Sequence, residues 1–243
     1  MDTMINFMDE IVSIKQVTLD SNRYDITVED NHNFFANNVL VHNCQNILPD
    51  LAANKGQEFE VSIKLDGSSM TVFRNDKAMD KTGTEILREG VCSRNWELRE
   101  SDKNSLWRVA RKNRMLEALA FLNRNLAFQG EIIGEGIQGN PEKMQGHDFY
   151  MFDIYDIDNQ CYLNPSERQK IVKELNDNGF PIKHVPILEN MILDHTVEEL
   201  LAMADGQSLN PKEKREGLVF KRLDGQFSFK AISNWYLEKH KDR

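Results

Sequence analysis

Side chains that could do covalent chemistry occur in two separate parts of the chain. A histidine, an asparagine and a cysteine follow one another at His42, Asn43 and Cys44. Further along, Lys64 opens the pentapeptide KLDGS, which lies between the apolar runs EVSI and MTVF. A thiol or an amine becomes a nucleophile once it has lost its proton. Both parts of the sequence therefore carry groups suited to group transfer, and the elements around them must hold those groups in place.

The composition limits the class of protein. At 243 residues the chain falls between one and two domains of roughly 150 residues each. Its longest apolar runs fall short of the roughly 18 residues that a membrane span needs, and MDTMINFMDE does not read as a secretion signal. Three widely spaced cysteines argue against a disulfide framework or a four-cysteine zinc site. We expect a protein of a reducing, cytoplasmic compartment.

The net charge of -9 is unevenly distributed. Residues 1–43 hold seven acids and two bases, a net charge of -5, and residues 44–243 hold the other 32 acids and 28 bases, a net charge of -4. An acidic chain is not what a nucleic-acid-binding protein usually shows. The acidity per residue is highest in the N-terminal fifth, so the two segments could have different roles.

The pattern of apolar and polar residues differs between the two segments, as the charge does. Residues 11–41 alternate apolar and polar residues in the short runs IVSIKQVTL, YDITVE and FFANNVLV, which predict a compact all-β element. Beyond residue 57 the strand-like runs are FEVSIKL, MTVF, LAFQGEII, FYMFDIY, GLVF and FSFKAI. Predicted helices run from Ser105 to Asn123, from Pro165 to Gly179, and onward from a capping box of Thr196 and Glu199. The second segment is therefore predicted to be an α+β domain of about 200 residues.

The stretch RYDITVEDNHNFFANNVLVHNC resembles the final block of a self-splicing intein. In that family the residue at Asn43 cyclises onto its own carbonyl and releases the peptide bond to Cys44. The resemblance implies that His42 assists this cleavage, that Asp25 and His32 also assist splicing, and that the Cys44 thiol takes over the upstream acyl group.

The resemblance implies that residues 1–43 are a small all-β, Hint-type, C-terminal intein fragment. Because no N-terminal intein block precedes Met1, we expect a split intein whose separate N-terminal half carries an N-extein. C-inteins are often complementary in charge to their partners, so the acidity of this segment could speed association. The alternatives are a defunct remnant or a gene fragment that begins at an internal methionine.

A second series of motifs runs through residues 44–243. In order they are KLDGS from Lys64, Ser93-Arg94-Asn95, QGEIIGEGIQGN with Glu131, FYMFDIYD with Phe152, Glu216 to Lys221, and Phe229-Lys230. Together they resemble the covalent nucleotidyltransferases, which include ATP-dependent ligases and capping enzymes. GEIIGEGIQGN with DFYMFDIY is most similar to the type 2 and Deinococcus-type RNA ligases. The implied fold is an ATP-grasp-like ligase domain with antiparallel sheets and flanking helices.

The resemblance implies a role for each motif residue. Lys64 would attack the α-phosphate of ATP and form a lysyl-AMP, with Mg²⁺ or Mn²⁺ held by Glu131 and Glu216. The implied ATP-binding residues are Lys64, Asp66, Gly67, Arg94, Glu131, Phe152, Glu216, Lys221 and Lys230. Related ligases often carry two lysines in the last motif, whereas Ser228 and Ile232 flank Lys230 here. Lys221 could supply the second cation.

One basic stretch could contact RNA. Residues 103–114, KNSLWRVARKNR, hold five bases and no acid. Four of these, Arg108, Arg111, Lys112 and Arg114, are candidates for binding backbone phosphates, although a solvated helix face is the alternative for each. No base-reading motif is visible, so recognition of strand ends and duplex shape is expected.

The sequence thus predicts two fused parts. Residues 44–243 would be the catalytic domain of an ATP-dependent RNA ligase that seals 3′-hydroxyl and 5′-phosphate ends, made as the C-extein of a split-intein precursor. Thirteen residues follow Lys230, so we expect the N-extein to supply an oligonucleotide-fold domain. The alternatives are a DNA ligase, a capping-type nucleotidyltransferase, or a non-catalytic RNA-end-binding domain with a defunct intein remnant.

Overall fold

The computed structural model describes the backbone of residues 33–36 and 39–42, and it describes residues 48–240. These residues divide into two units, with the boundary between Asn54 and Lys55. In the smaller unit, β1 (Asn33–Ala36) pairs antiparallel with β2 (Val39–His42), and α1 spans Leu48–Ala53. The two strands overlap the predicted run FFANNVLV and extend one residue beyond each of its ends. The other two strand runs predicted near the N-terminus lie outside the described residues.

The larger unit contains two sheets. A four-stranded antiparallel sheet has the order β11-β3-β12-β13, formed by β3 (Glu58–Lys64), β11 (Ile187–Ile192), β12 (Gly217–Arg222) and β13 (Ser228–Ile232). A seven-stranded sheet is formed by β4 (Ser68–Met79), β5 (Glu85–Ser93), β6 (Glu97–Leu98), β7 (Leu126–Gly134), β8 (His147–Asp156), β9 (Cys161–Tyr162) and β10 (Lys183–His184). Its order is β10-β8-β7-β4-β5-β6 with β9 on β8, and among these described strands β10 alone pairs parallel. The mixed fold with antiparallel sheets is the predicted one.

Five helices flank these sheets within residues 55–240. They are α2 (Ser105–Lys112), α3 (Met115–Leu122), α4 (Pro165–Asp177), α5 (Val197–Ala204) and α6 (Asn234–Lys239). The capping boxes explain where two of them begin. The side chain of Asn164 accepts from the backbone N–H of Glu167, and Thr196 and Glu199 exchange both bonds of the box. The predicted starts of α4 and α5 are confirmed.

The predicted single helix from Ser105 to Asn123 is wrong, because the chain breaks it into α2 and α3. Asn113 is buried and its side chain donates to Asp148 at 3.2 Å. The next residue, Arg114, adopts a left-handed conformation with φ of 53°, which an α-helix does not allow. A tertiary hydrogen bond thus overrides a continuous helical pattern.

Two apolar clusters position the rest of the larger unit. The main core packs the seven-stranded sheet against α2, α3 and α4, through residues such as Met70, Phe128, Phe149, Leu119 and Leu175. A smaller cluster joins the two sheets and includes Ile63 and Leu65. These two buried residues flank Lys64, so the backbone at that lysine is fixed from both sides. Within residues 48–240 none of the helices is long and apolar enough to cross a membrane.

Candidate functional site

A cleft of 590 Å³ lies between strands of the two sheets. A volume of this size is in the range of small-molecule sites. All nine residues that were predicted to bind ATP line it: Lys64, Asp66, Gly67, Arg94, Glu131, Phe152, Glu216, Lys221 and Lys230. The fold therefore brings together side chains that are up to 166 positions apart in sequence.

Lys64 forms an ion pair at the centre of the cleft. It is the last residue of β3 and pairs across the sheet with Gly217, the first residue of β12. Glu216 precedes that glycine, and its Oε2 lies 2.7 Å from the Lys64 Nζ. Burial raises the pKa of Glu216, while the charge of Lys64 opposes this shift. A carboxylate is thus held at hydrogen-bonding distance from the amine.

Gly67 allows the turn after Lys64 to lie directly against β7. A Cβ at this position would be 2.4 Å from the carbonyl oxygen of Ile132 and 2.8 Å from the Glu131 Cγ. No side chain fits there unless the strand moves. The same turn holds Asp66, whose Oδ2 accepts a hydrogen bond of 2.9 Å from the Tyr236 hydroxyl. The glycine therefore sets how closely the lysine turn approaches Glu131.

Glu131 is the most perturbed carboxyl group of the cleft. It lies on β7 opposite Ser69. Burial raises its pKa to about 7; the charge of Lys64 opposes the shift, and the nearby carboxylate of Glu216 adds to it. The group can therefore hold a proton near neutral pH, or it can hold a cation that compensates its charge.

A β-bulge in β8 turns two successive side chains toward the cleft. Gln129 pairs with Asp153 but Gly130 pairs with Met151, so Phe152 is an extra residue without a partner across the ladder. Bulges redirect side chains and occur next to active sites. Lys221 then donates to the Phe152 carbonyl and to the Asp153 Oδ2, each at 2.6 Å. Burial lowers the pKa of Lys221, and Asp153 opposes the shift.

Two further cations complete the cleft. Lys230 lies on β13 opposite Val219. Burial lowers the pKa of Lys230, and the charges of Lys64 and Arg94 act in the same direction. Lys64 and Arg94 are thus both close enough to Lys230 to repel it, and the three positive side chains form one group. Such a group is suited to a ligand with several negative charges, such as a polyphosphate.

Arg168, a buried arginine, was not among the residues predicted from the sequence. Arg168 is fully buried, and its Nη2 donates to Glu60, which is also buried. Its Nη1 lies 3.5 Å from Asp153 and has no hydrogen-bond partner. The sequence does contain a signal for its burial, because Arg168 shares the apolar face of α4 with Ile171 and Leu175. A charged residue at helical spacing among core residues indicates a buried ion pair.

His184 connects the same arginine to another wall of the cleft. Burial lowers its pKa to about 4, helped by the charge of Arg168, so the ring is neutral at pH 7. Its Nε2 accepts from the Arg168 Nε at 2.8 Å, and its Nδ1 lies 2.6 Å from the Val185 carbonyl. The first contact requires a lone pair on Nε2, so the proton is on Nδ1 and is donated to Val185. Val185 lines the cleft.

The two predicted metal ligands both lie in the cleft. Across residues 48–240, no group of three or more His, Cys, Asp and Glu side chains is arranged to hold a metal ion. Glu131 and Glu216 are therefore a two-carboxylate set. Mg²⁺ in nucleotide-dependent enzymes is commonly bound through one or two carboxylates together with substrate phosphates and water. The carboxylates present fit a metal that arrives with a nucleotide.

The four candidate RNA-binding residues are at or near the C-terminal half of α2, and nearby groups engage all of them. Arg111 pairs with Glu100 and Asp102, and Arg114 pairs with Glu117. Lys112 lies 3.6 Å from Asp148 and donates to the His147 carbonyl. Arg108 donates to the carbonyls of Asp102 and Lys103. None of the four lines the described cleft.

The residues predicted to carry out splicing lie at the edge of what the structure describes. His42 is the last residue of β2, and only its backbone is described. Asp25, His32, Asn43 and Cys44 lie outside the described residues.

Comparison with known proteins places the larger unit in a family. A family model described as RNA ligase matches residues 57–232. The chain is similar to Naegleria gruberi RNA ligase solved with pyrophosphate, at 66% identity and a TM-score of 0.76, over 82% of this chain and 56% of that one. Two lysine variants of that ligase, one with ATP and manganese and one with AMP and manganese, match at 65% identity, with the same TM-score and coverage. No curated protein matches significantly. The chain spans a little over half the length of the solved structures it matches.

Proposed function

The chain belongs to the RNA ligase family, and we propose on that premise that residues 44–243 form the catalytic domain of an ATP-dependent RNA ligase. One observation carries the proposal. The Lys64 amine lies 2.7 Å from the partly buried carboxylate of Glu216, in a cleft that also contains the cations Arg94, Lys221 and Lys230. This arrangement provides a nucleophile, a proton acceptor and phosphate-binding groups at one place.

In the first step, the Lys64 Nζ bonds to the α-phosphorus of ATP and the bond to the pyrophosphate oxygen breaks. The amine must lose a proton, and the Glu216 Oε2 at 2.7 Å is placed to accept it. Arg94 and Lys230 would bind the phosphate oxygens on which charge accumulates.

The remaining groups bind the nucleoside. The bulge at Phe152 turns its ring toward the cleft, where it can stack on adenine. Lys221 holds the Phe152 carbonyl and Asp153, so its charge is already balanced by a protein carboxylate. We therefore assign Lys221 to fixing this wall of the cleft. That leaves Lys230 and Arg94 as the phosphate cations.

Glu131 and Glu216 are the residues that would hold Mg²⁺ or Mn²⁺ beside the nucleotide. The metal, when bound, supplies positive charge that neutralises phosphate oxygens. The raised pKa of Glu131, about 7, reflects a buried carboxyl group with too little positive charge nearby, and a cation would satisfy it. Naegleria gruberi RNA ligase has been solved with ATP and manganese, which supports a nucleotide and a divalent metal as the ligands of such a site.

The later steps act on RNA. AMP passes from Lys64 to an RNA 5′-phosphate, and a 3′-hydroxyl then attacks that phosphate and releases AMP. To test the substrate class, the chain is given nicked RNA or nicked DNA of the same sequence, with ATP or GTP. The proposal predicts sealing of nicked RNA with ATP. Sealing of DNA alone would favour a DNA ligase, and a GMP adduct in place of AMP would favour a capping-type enzyme.

We also propose that residues 1–43 are a C-intein that splices with a separate N-terminal half. Two observations support this division. The reactive series Asp25, His32, His42, Asn43 and Cys44 is complete in sequence, and the family match begins only at residue 57. Incubation with a matched N-intein should release residues 1–43 and join its extein to Cys44. Asn43→Ala should retain the segment, and retention by the unmodified chain would contradict the proposal.

A further inference from the structure

An exposed tryptophan, Trp96, follows by two residues Arg94, which lines the cleft. Trp96 has 72% of its surface exposed, more than any other large apolar side chain within residues 49–240. Trp107, by contrast, is 6% exposed. An indole can bury about 150–250 Å² when it finds a partner. An indole left in water is therefore a candidate for ligand contact.

The backbone around Trp96 is held in place. The Ser93 N–H donates to the Trp96 carbonyl at 2.9 Å. The following residues form β6, which pairs with the end of β5. The indole N–H of Trp107 also donates to the Leu98 carbonyl at 2.9 Å, which ties β6 to α2. Trp96 is thus presented from a fixed edge of the sheet.

Trp96 is close in sequence to a residue of the cleft. Arg94, two residues earlier, lines the cleft, and its charge contributes to lowering the pKa of Lys230. The RNA 5′-phosphate must reach the AMP on Lys64 among these cations. Trp96 is therefore two residues from a cation that lines the cleft.

The charge around the indole suits a nucleic acid. Among the residues that the structure describes, Arg94 and Arg99 form no ion pair with a carboxylate. Both are exposed. Arg111 and Arg114 of the predicted basic stretch, in contrast, are neutralised by Glu100, Asp102 and Glu117. Cations available to phosphates therefore flank Trp96.

We propose that the base next to the reacting RNA end stacks on Trp96, while Arg94 and Arg99 bind the flanking phosphates. The proposal rests on the proposed ligase function and adds the surface that receives RNA. An aromatic ring between free cations is the arrangement by which proteins bind unpaired nucleotides without reading sequence. It agrees with the absence of a base-reading motif.

The test measures RNA binding without ATP. A 5′-phosphorylated RNA with an unpaired 5′ end is titrated into the full chain in the presence of a metal chelator, while tryptophan emission and RNA anisotropy are followed. We expect emission quenching that disappears in Trp96→Phe. We expect Trp96→Ala to weaken binding about 5- to 150-fold, the range of one base–aromatic stack, and Trp96→Phe to weaken it less. Arg99→Gln should reduce the slope of log affinity against log salt by about one.

Met79→Ala is the matched control, because Met79 is 61% exposed at the far end of β4. It should bind RNA as the unmodified chain does. RNA affinity unchanged by Trp96→Ala would overturn the proposal, and so would an equal loss in Met79→Ala. Failure of the ligase function would be seen separately, as the absence of an AMP adduct on the unmodified chain, since the titration requires no adenylylation.

Discussion

Replacing Arg168 by methionine tests how much its buried ion pair with Glu60 contributes to the stability of the fold. Arg168 and Glu60 are each 1% exposed at the side chain, and they form an ion pair between α4 and β3. Breaking a buried pair by removing one partner costs about 3–5 kcal/mol, because the other charge stays buried and uncompensated. Arg168→Met also removes the donor to His184 and the charge beside Asp153. We expect a loss of about 4 kcal/mol in the free energy of unfolding.

The assay is urea unfolding followed by tryptophan emission, since Trp107 is buried in the main core. With an m-value of about 2 kcal/mol per molar urea, the midpoint should fall by about 2 M. The double variant Arg168→Met with Glu60→Gln removes both charges, so it should recover much of the loss. A loss below about 1 kcal/mol in Arg168→Met would show that no uncompensated charge is left buried at Glu60. A double variant as unstable as the sum of the two single variants would contradict the expected compensation between the two charges.

Three further predictions concern the cleft. The pKa of Glu131 is raised to about 7 from its ordinary 4.5, so between these pH values the folded chain binds a proton that the unfolded chain does not. The free energy of unfolding should therefore fall by about 3 kcal/mol as the pH rises from 4.5 to 7. Glu131→Gln should remove this dependence and be the more stable protein at pH 8 by urea unfolding. The pKa of His184 is lowered to about 4 from 6.5. The neutral ring therefore makes its full contribution to the free energy of unfolding above pH 6.5, and this contribution is lost as the pH falls to 4. In NMR titration the ring should stay neutral down to pH 5, and a midpoint near 6.5 would contradict this. Gly67→Ala places a Cβ 2.4 Å from a backbone oxygen of β7; it should destabilise the fold by about 1–3 kcal/mol and abolish AMP transfer to the chain.

Much of the sheet framework could be predicted, because its central strands are apolar. The runs at Phe59, Met70, Phe128, Phe149 and Leu218 are all buried and all form strands. The strands that were missed are the two-residue β6, β9 and β10 and the longer β5 and β11. The last two have exposed, polar sequences such as EILRE and LEN. Their pairing with distant strands supplies the structure that their own pattern does not indicate.

The motif residues could be found from sequence because each lies in a short recognisable run, and the structure gathers them around one cleft. The contacts that position these motif residues could not be predicted from the sequence. The bulge at Phe152 depends on the register between β7 and β8, and a one-residue shift leaves no trace in composition. Arg168 contacts Glu60, which is 108 positions away, and His184 in turn contacts Arg168, 16 positions away.

The most direct test of ligase chemistry at Lys64 is the intact mass of the chain after incubation with ATP and magnesium. We expect a gain of one AMP that is retained in Lys173→Ala, whose lysine is exposed on α4, and is absent in Lys64→Ala. An AMP adduct that persists in Lys64→Ala would contradict the assignment of the nucleophile. No adduct on the unmodified chain would contradict the proposed ligase chemistry.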